Sequence, residues 1–239
     1  TSPILIQNVD NDSKFYCSET YRHDKEKNNE WQRMQFYSFF DNDTKFFGKF
    51  HDLNDETKDS AFIYDLTTKS LLKYYSEDRF IHGISDDGSL FFSQDLNSTT
   101  LRLRSTATQE IIASLQIEYK VQHICYPKES NVWCVLFYVG NYNPLVIFYE
   151  KNTNKEEFRY APPIATARDI RLSHNGLYCA ISGNTSNTTE LIIYSTRNRN
   201  VFRKHSYPFD TFGFTSCADF SENDETYVFV TDHVINVVR

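Results

Sequence analysis

The sequence predicts an all-β chain assembled from repeated four-stranded units, and three observations carry that expectation. A segment rich in β-branched and aromatic residues recurs along the chain. With Tyr64, Arg104, Tyr149, Tyr194 and Val238 as equivalent positions, the intervals are 40, 45, 45 and 44 residues. Ahead of each copy stand two apolar segments joined by a polar turn, so every period holds about four short strands. Two of those turns carry Asp87-Gly88 and Asn175-Gly176, dipeptides that accept positive φ and close tight hairpins.

Taken in order, residues 1–33 hold an apolar start at Ile4-Leu5-Ile6, read as a closing strand, and a charged stretch from Asp24 to Arg33, read as a loop. Residues 34–239 hold the repeats. A first hairpin spans 39–48 and leads to the Ala-Phe-Ile-Tyr-Asp strand at 61–65, closed by the polar turn 66–69. The hairpin at 83–93, with Ser85-Asp86-Asp87-Gly88, precedes the strand at 100–105. The hairpin at 124–133 precedes 145–150, and the one at 171–180, with Ser173-His174-Asn175-Gly176, precedes 190–195. A fifth hairpin at 219–228 precedes 233–238, where a last, truncated unit is expected.

A period of 40 to 45 residues, these hairpins and the Ile63-Tyr64-Asp65 strand resemble the WD-repeat β-propeller from about Met34 to Arg239. The resemblance implies consecutive four-stranded blades, about five of them with the last truncated. Only Tyr64-Asp65 comes close to the family's Trp-Asp dipeptide, and Gly-His is missing, so the repeats are degenerate. A seven-bladed ring of this period needs about 300 residues, so part of a larger propeller or chain is expected.

The chain has 239 residues, enough for one large domain with its own core. Its net charge of −7 argues against a duplex nucleic-acid partner, which requires a basic surface. No apolar run reaches the roughly 20 residues of a membrane-spanning helix. Cys17, Cys125, Cys134, Cys179 and Cys217 are odd in number and mostly sit in apolar segments, as buried thiols of an intracellular (cytoplasmic or nuclear) protein do. Asn11, Asn42, Asn97, Asn184 and Asn187 head glycosylation sequons, which keeps a secretory route open.

No metal-ligand cysteine spacing, nucleophile elbow or phosphate-cradling loop is present, so neither metal, cofactor nor catalytic residue is expected. His82 and His123 occupy matching strand positions, read as hydrogen-bonded histidines near a central channel. Ser85 reads as a turn residue, and Asp86-Asp87 and the acidic run from Asp52 to Asp59 as solvated loop groups, while Asp41-Asn42-Asp43 lacks the Gly and bidentate Glu of an ordered Ca²⁺ loop.

The expected function is a non-catalytic protein-protein interaction scaffold of a multi-subunit assembly. The alternative is the propeller of a secreted or membrane-anchored, glycosylated serine peptidase. The expected partner surface is basic: Arg197, Arg199, Arg203 and Lys204 lie within nine residues that hold no acid. Arg102 and Arg104, two apart on one strand, add a second contact. The partner is an acidic protein or a lipid headgroup surface. Phe202-Arg203-Lys204-His205 echoes the Phe-Arg-Arg-Gly of phosphoinositide-binding propellers, without its Gly.

Overall fold

The computed structural model describes residues 5–7, 14–16, 32–40, 44–52, 59–77, 79–95, 98–140, 142–208, 218–221, 223–231 and 234–238, and every regular element among them is a β-strand. The apolar start falls on β1 (Leu5–Gln7), which pairs with β2 (Lys14–Tyr16). A first four-stranded sheet follows from β3 (Gln32–Phe40), β4 (Lys45–Asp52), β5 (Asp59–Asp65) and β6 (Ser70–Glu77). The second is β7 (Arg79–Ile84), β8 (Leu90–Asp95), β9 (Thr100–Ser105) and β10 (Ile111–Gln116). The third is β11 (Lys120–Cys125), β12 (Val132–Val139), β13 (Asn143–Glu150) and β14 (Glu156–Tyr160). The fourth is β15 (Thr166–Leu172), β16 (Tyr178–Asn184), β17 (Thr188–Ser195) and β18 (Asn200–Pro208). A fifth has three described strands, β19 (Ala218–Phe220), β20 (Tyr227–Thr231) and β21 (Val234–Val238). Each sheet is antiparallel with its strands in chain order.

The register bears out the repeat. Tyr64, Arg104, Tyr149, Tyr194 and Val238 lie opposite Phe46, Phe91, Trp133, Cys179 and Tyr227 on the preceding strand. Each outer strand then skips one residue: Leu72, Ile112, Glu157 and Phe202 have no partner across the ladder. The first strands skip Tyr37, His82, Gln122 and Arg168 in the same way. Such bulges add local twist and bend the strand, which lets every sheet coil against its neighbours.

The core lies between consecutive sheets. Phe47, Ile63 and Ile81 join the first and second, and Phe92, Leu103, Trp133 and Tyr149 join the second and third. Cys125, Cys134, Phe148, Ile170 and Tyr194 join the third and fourth, while Ile193, Phe220 and Tyr227 join the fourth and fifth. Because both faces of an interior sheet are covered, middle strands such as β12 and β17 read as apolar runs and not as alternations. The many aromatic rings fill these layers by stacking, as Tyr160 does on Tyr194 at 4.1 Å and Trp133 on Tyr149 at 4.7 Å. Cys125, Cys134 and Cys179 are buried free thiols; Cys17 and Cys217 lie outside the described residues.

Side chains close the inner hairpins in a recurring pattern. Ser85 Oγ donates to Asp87 Oδ1 at 2.6 Å and accepts from the Leu90 N–H at 3.0 Å. Ser173 does the same with Asn175 and Tyr178, and Ser221 with Asn223 and Thr226. The residue two beyond each repeat position then braces the hairpin carbonyls: Thr106 donates to Gly88 O, Lys151 to Pro127 O and Thr196 to Gly176 O. Gly176 has φ +74°, and a Cβ there meets Ser130 Oγ of the preceding sheet at 1.9 Å. Gly176→Ala is therefore expected to cost about 1–3 kcal/mol, combining the left-handed backbone with that clash. Urea unfolding measures it, and Ser130→Gly in the same chain should recover part of the loss.

Candidate interaction surface

The basic segment forms the turn after β17 and the start of β18. Pairing places Arg203 opposite Ile193, which packs toward the fifth sheet, and Lys204 opposite Ile192, which packs toward the third. The strand pleat thus sends the two cations to opposite faces. Arg197, Arg199, Arg203 and Lys204 are all exposed. Arg199 lies over the Phe158 ring at 4.8 Å and 3.7 Å from Glu157 Oε1, both on the third sheet. Lys204 Nζ sits 3.1 Å from Glu190 Oε2, whose side chain is only 3% exposed. Burial pushes the Glu190 carboxyl up, but bonds from Thr188, Ser206 and Lys204 outweigh it and hold the group below its usual range. Lys204 therefore serves a buried carboxylate within its own sheet. Beside these cations stand exposed Leu177, Val201 and Phe202, with the Phe202 ring 5.1 Å from Tyr178.

Arg102 and Arg104 are placed differently from the sequence expectation. Arg104 is not a surface residue, with 9% exposure. It occupies the core position held elsewhere by Tyr64, Tyr149 and Tyr194, and donates to Ser93 Oγ at 3.1 Å and Gln109 O at 2.8 Å. Burial of a guanidinium requires such acceptors, so its reach is turned inward. Arg102 is half-buried and ion-paired with Asp95. Neither joins the basic segment of the fourth sheet.

The outer bulges expose apolar side chains, of which the sequence motifs pointed only to Phe202: Leu72 is 49%, Ile112 60% and Phe202 55% exposed. Each stands eight residues beyond its repeat position, at Tyr64, Arg104 and Tyr194. Extending the repeat by that offset is the signal that reveals them.

At the inner strands, His82 Nε2 meets Gln94 Oε1 of its own sheet at 3.1 Å. His123 instead bridges to the next sheet, with Nδ1 2.6 Å from Asp169 Oδ1 and Nε2 2.8 Å from the Arg171 guanidinium. The Arg171 N–H must donate to Nε2, so Nδ1 carries the proton given to Asp169. Both ring nitrogens are engaged, and the Cys125 thiol two residues on donates to Ile170 O at 3.1 Å. With both imidazole nitrogens engaged, this His–Asp pair acts as a tie between sheets. Asp224 makes a similar tie, accepting the His174 and Asn175 backbone N–H groups at 2.9 Å each.

Asp86 sits exposed at the tip of the second hairpin, where partial desolvation by the surrounding protein pushes its carboxyl up to about 6 despite the attraction of His174 and Arg171. Its folded pKa exceeds the unfolded value of about 3.9, so the folded chain binds the proton more tightly. The stability this group adds is full below about pH 4 and is lost as pH rises through about 6. Asp86→Asn is expected to flatten that dependence and to raise the melting temperature at neutral pH. Thermal unfolding across this range checks it; an unchanged profile rules it out.

Consecutive antiparallel sheets, strand-ordered and packed face to face, define a β-propeller, the architecture of the WD-repeat family that the sequence resembles. No family model and no curated protein matches the sequence. Among solved structures the chain is similar to one of the Mitotic Checkpoint Complex, with a TM-score of 0.65 and 11% identity over 98% of this chain and 67% of that one. The Cps50 (Swd1) β-propeller domain of Myceliophteria thermophila gives 0.55 and 14% identity over 88% and 66%. Hydrazine synthase of Kuenenia stuttgartiensis gives 0.60 and 8% identity over 81% and 54%. At these identities the likeness is one of fold, and this chain spans between half and two thirds of those chains.

Proposed function

We propose that the chain is a non-catalytic protein-protein interaction scaffold of a multi-subunit intracellular assembly. The observation that carries this reading is the outer corner of the fourth blade. There Arg197, Arg199 and Arg203 stand exposed beside Val201 and Phe202, on a chain whose net charge is −7. Exposed aromatic residues beside arginines are the composition of binding hot spots. The polar groups of the inner strands support it too, since His123, Asp169 and Ser85 are engaged in holding blades and hairpins. The likeness to a chain of the Mitotic Checkpoint Complex agrees with a place in an assembly. Within the described residues, the sequon Asn184 is buried and bonded to Thr189, which takes weight from the glycosylated reading; Asn187 is exposed.

The test is affinity purification from the native source with wild type and the triple variant R197E/R199E/R203E. Loss of specific partners from a variant with unchanged circular dichroism and melting temperature is the expected result. Identical partner sets rule this surface out. Lys204 is left unmutated because its removal strands the Glu190 carboxylate.

A further inference from the structure

We propose that Cys125 and Cys134 form a redox-responsive modification site, in which hydrogen peroxide oxidises Cys125 and Cys134 then closes a cross-strand disulfide with it. The site lies apart from the basic segment and is independent of the interaction reading above. Cys125 ends β11, and Cys134 stands directly opposite it on β12. At the other edge of β12 the Lys151 N–H donates to Asn131 O at 2.8 Å. Counting along that register, Trp133 turns its peptide groups toward β13 and Cys134 turns its own toward β11. The two cysteines are therefore a hydrogen-bonded pair with Cα atoms about 5.5 Å apart, a separation common in disulfides. Their side chains share the face packed on the fourth sheet, and the two thiols are in hydrogen-bond contact.

The surroundings divide the roles. Cys125 keeps 7% of its surface exposed, whereas Cys134 and Cys179 keep none. The partly exposed side chains of His123 and Arg171 stand beside Cys125, with the Arg171 guanidinium in hydrogen-bond contact with the thiol. Burial pushes the Cys125 thiol up, but the Cys134 hydrogen bond and the Arg171 charge outweigh it and hold the group below its usual range. Burial pushes the Cys134 thiol well up, and its contacts with Cys125 and Cys179 add to that. The thiolate is the form that attacks peroxide, so Cys125 reacts first and Cys134 resolves it. The resting Cys125 thiol donates to Ile170 O, but an Arg171 N–H serves the same carbonyl at 3.1 Å, so loss of the thiol proton strands no acceptor. Cys179 also touches Cys134, yet it belongs to β16 across the blade interface, and neither of those two thiols is open to peroxide.

The chemistry balances with peroxide as the sole oxidant. The Cys125 thiolate attacks one peroxide oxygen, the O–O bond breaks, and the departing hydroxide takes up the proton the thiol gave. Cys125 is then a sulfenic acid. The Cys134 sulfur attacks the Cys125 sulfur, the S–S bond forms, and the sulfenic oxygen leaves as water with the Cys134 proton. Two thiols have lost two electrons in all, and one hydrogen peroxide has become two waters. In a reducing compartment the dithiol is the resting form, and the link lasts only while oxidant outweighs thiol reductant.

The test exposes the full, reduced chain to hydrogen peroxide, blocks the remaining thiols with iodoacetamide and digests the product without reductant. Lys128 lies between the two cysteines, so trypsin separates them and the disulfide appears as a linked pair of peptides by mass spectrometry. Two of the five thiols are expected to be lost, the Cys125 peptide to be joined to the Cys134 peptide, and dithiothreitol to restore both. Cys134→Ala should leave Cys125 as a sulfenic acid, captured by dimedone when the chain is unfolded in its presence. Cys125→Ala should slow the oxidation of Cys134 at least about tenfold, and Cys179→Ala should leave the link unchanged. The wild-type peptide map decides the matter even where a variant fails to fold. A Cys134–Cys179 link, pairing scattered among the five cysteines, or no link in the folded chain overturns the site.

Discussion

Asp169→Ala is expected to destabilise the chain by about 3–5 kcal/mol, the loss typical of removing one partner of a buried ion pair. The Asp169 side chain is 8% exposed and faces both His123 at 2.6 Å and Arg171 at 3.4 Å. Its deletion leaves the Arg171 guanidinium and the His123 N–H without their anionic partner and removes a tie between the third and fourth blades. For a chain of this size the melting temperature should fall by roughly 10 °C. Burial pushes the Asp169 carboxyl up, but the His123 hydrogen bond and the charge of Arg171 outweigh it and hold the group below its ordinary value. A folded pKa below the unfolded one gives stability that is present above about pH 4 and is lost as pH falls through the folded pKa. The wild-type acid limb should therefore be steeper than that of Asp169→Asn, whose own loss should be the smaller because its amide oxygen can still accept from His123. Thermal unfolding as a function of pH measures both. A cost of Asp169→Ala below about 1 kcal/mol, the range of exposed pairs, contradicts the inter-blade tie.

Trp133→Ala should cost a similar amount, about 3–5 kcal/mol, by leaving a cavity between the second and third blades. Trp133 is fully buried and stacks on Tyr149 at 4.7 Å, with Tyr126 at 5.5 Å and Phe92 at 5.8 Å. Its Nε1 has no hydrogen-bond partner. Trp133→Phe therefore loses volume but no hydrogen bond, and should cost only about 1 kcal/mol. Chemical denaturation compares the two. Equal losses would mean that the indole is held by a polar contact and not by packing.

The contrast between these residues and the surface candidates shows what local sequence carries. The repeat period, the strand content and the hairpins were legible because turn dipeptides and β-branched runs act over a few residues. Ser85 and Ser173 fulfil the turn roles expected of them through bonds to Asp87 and Asn175, only two residues away. The equivalence of Tyr64, Tyr149 and Tyr194 survived into the register because one period is one sheet, and each sheet repeats the same ladder.

Tertiary structure decided where the charges went. Arg102 and Arg104 share a strand, yet one pairs with Asp95 near the surface and the other fills a tyrosine position in the core. Arg203 and Lys204 are adjacent in sequence but face different blades, and Lys204 is directed to a buried carboxylate on the neighbouring strand. His123 finds Asp169 on the next blade and not His82 on the previous one. For Arg203, Lys204 and His123 the outcome depends on which face of the sheet each residue takes, whereas Arg102 and Arg104 share a face and differ in position along the strand. A single-residue bulge changes that parity, while the partner across a blade interface lies about one repeat away in sequence. Composition and period thus determined the propeller and its strands, whereas the bulges and the packing between blades determined which groups each cation meets.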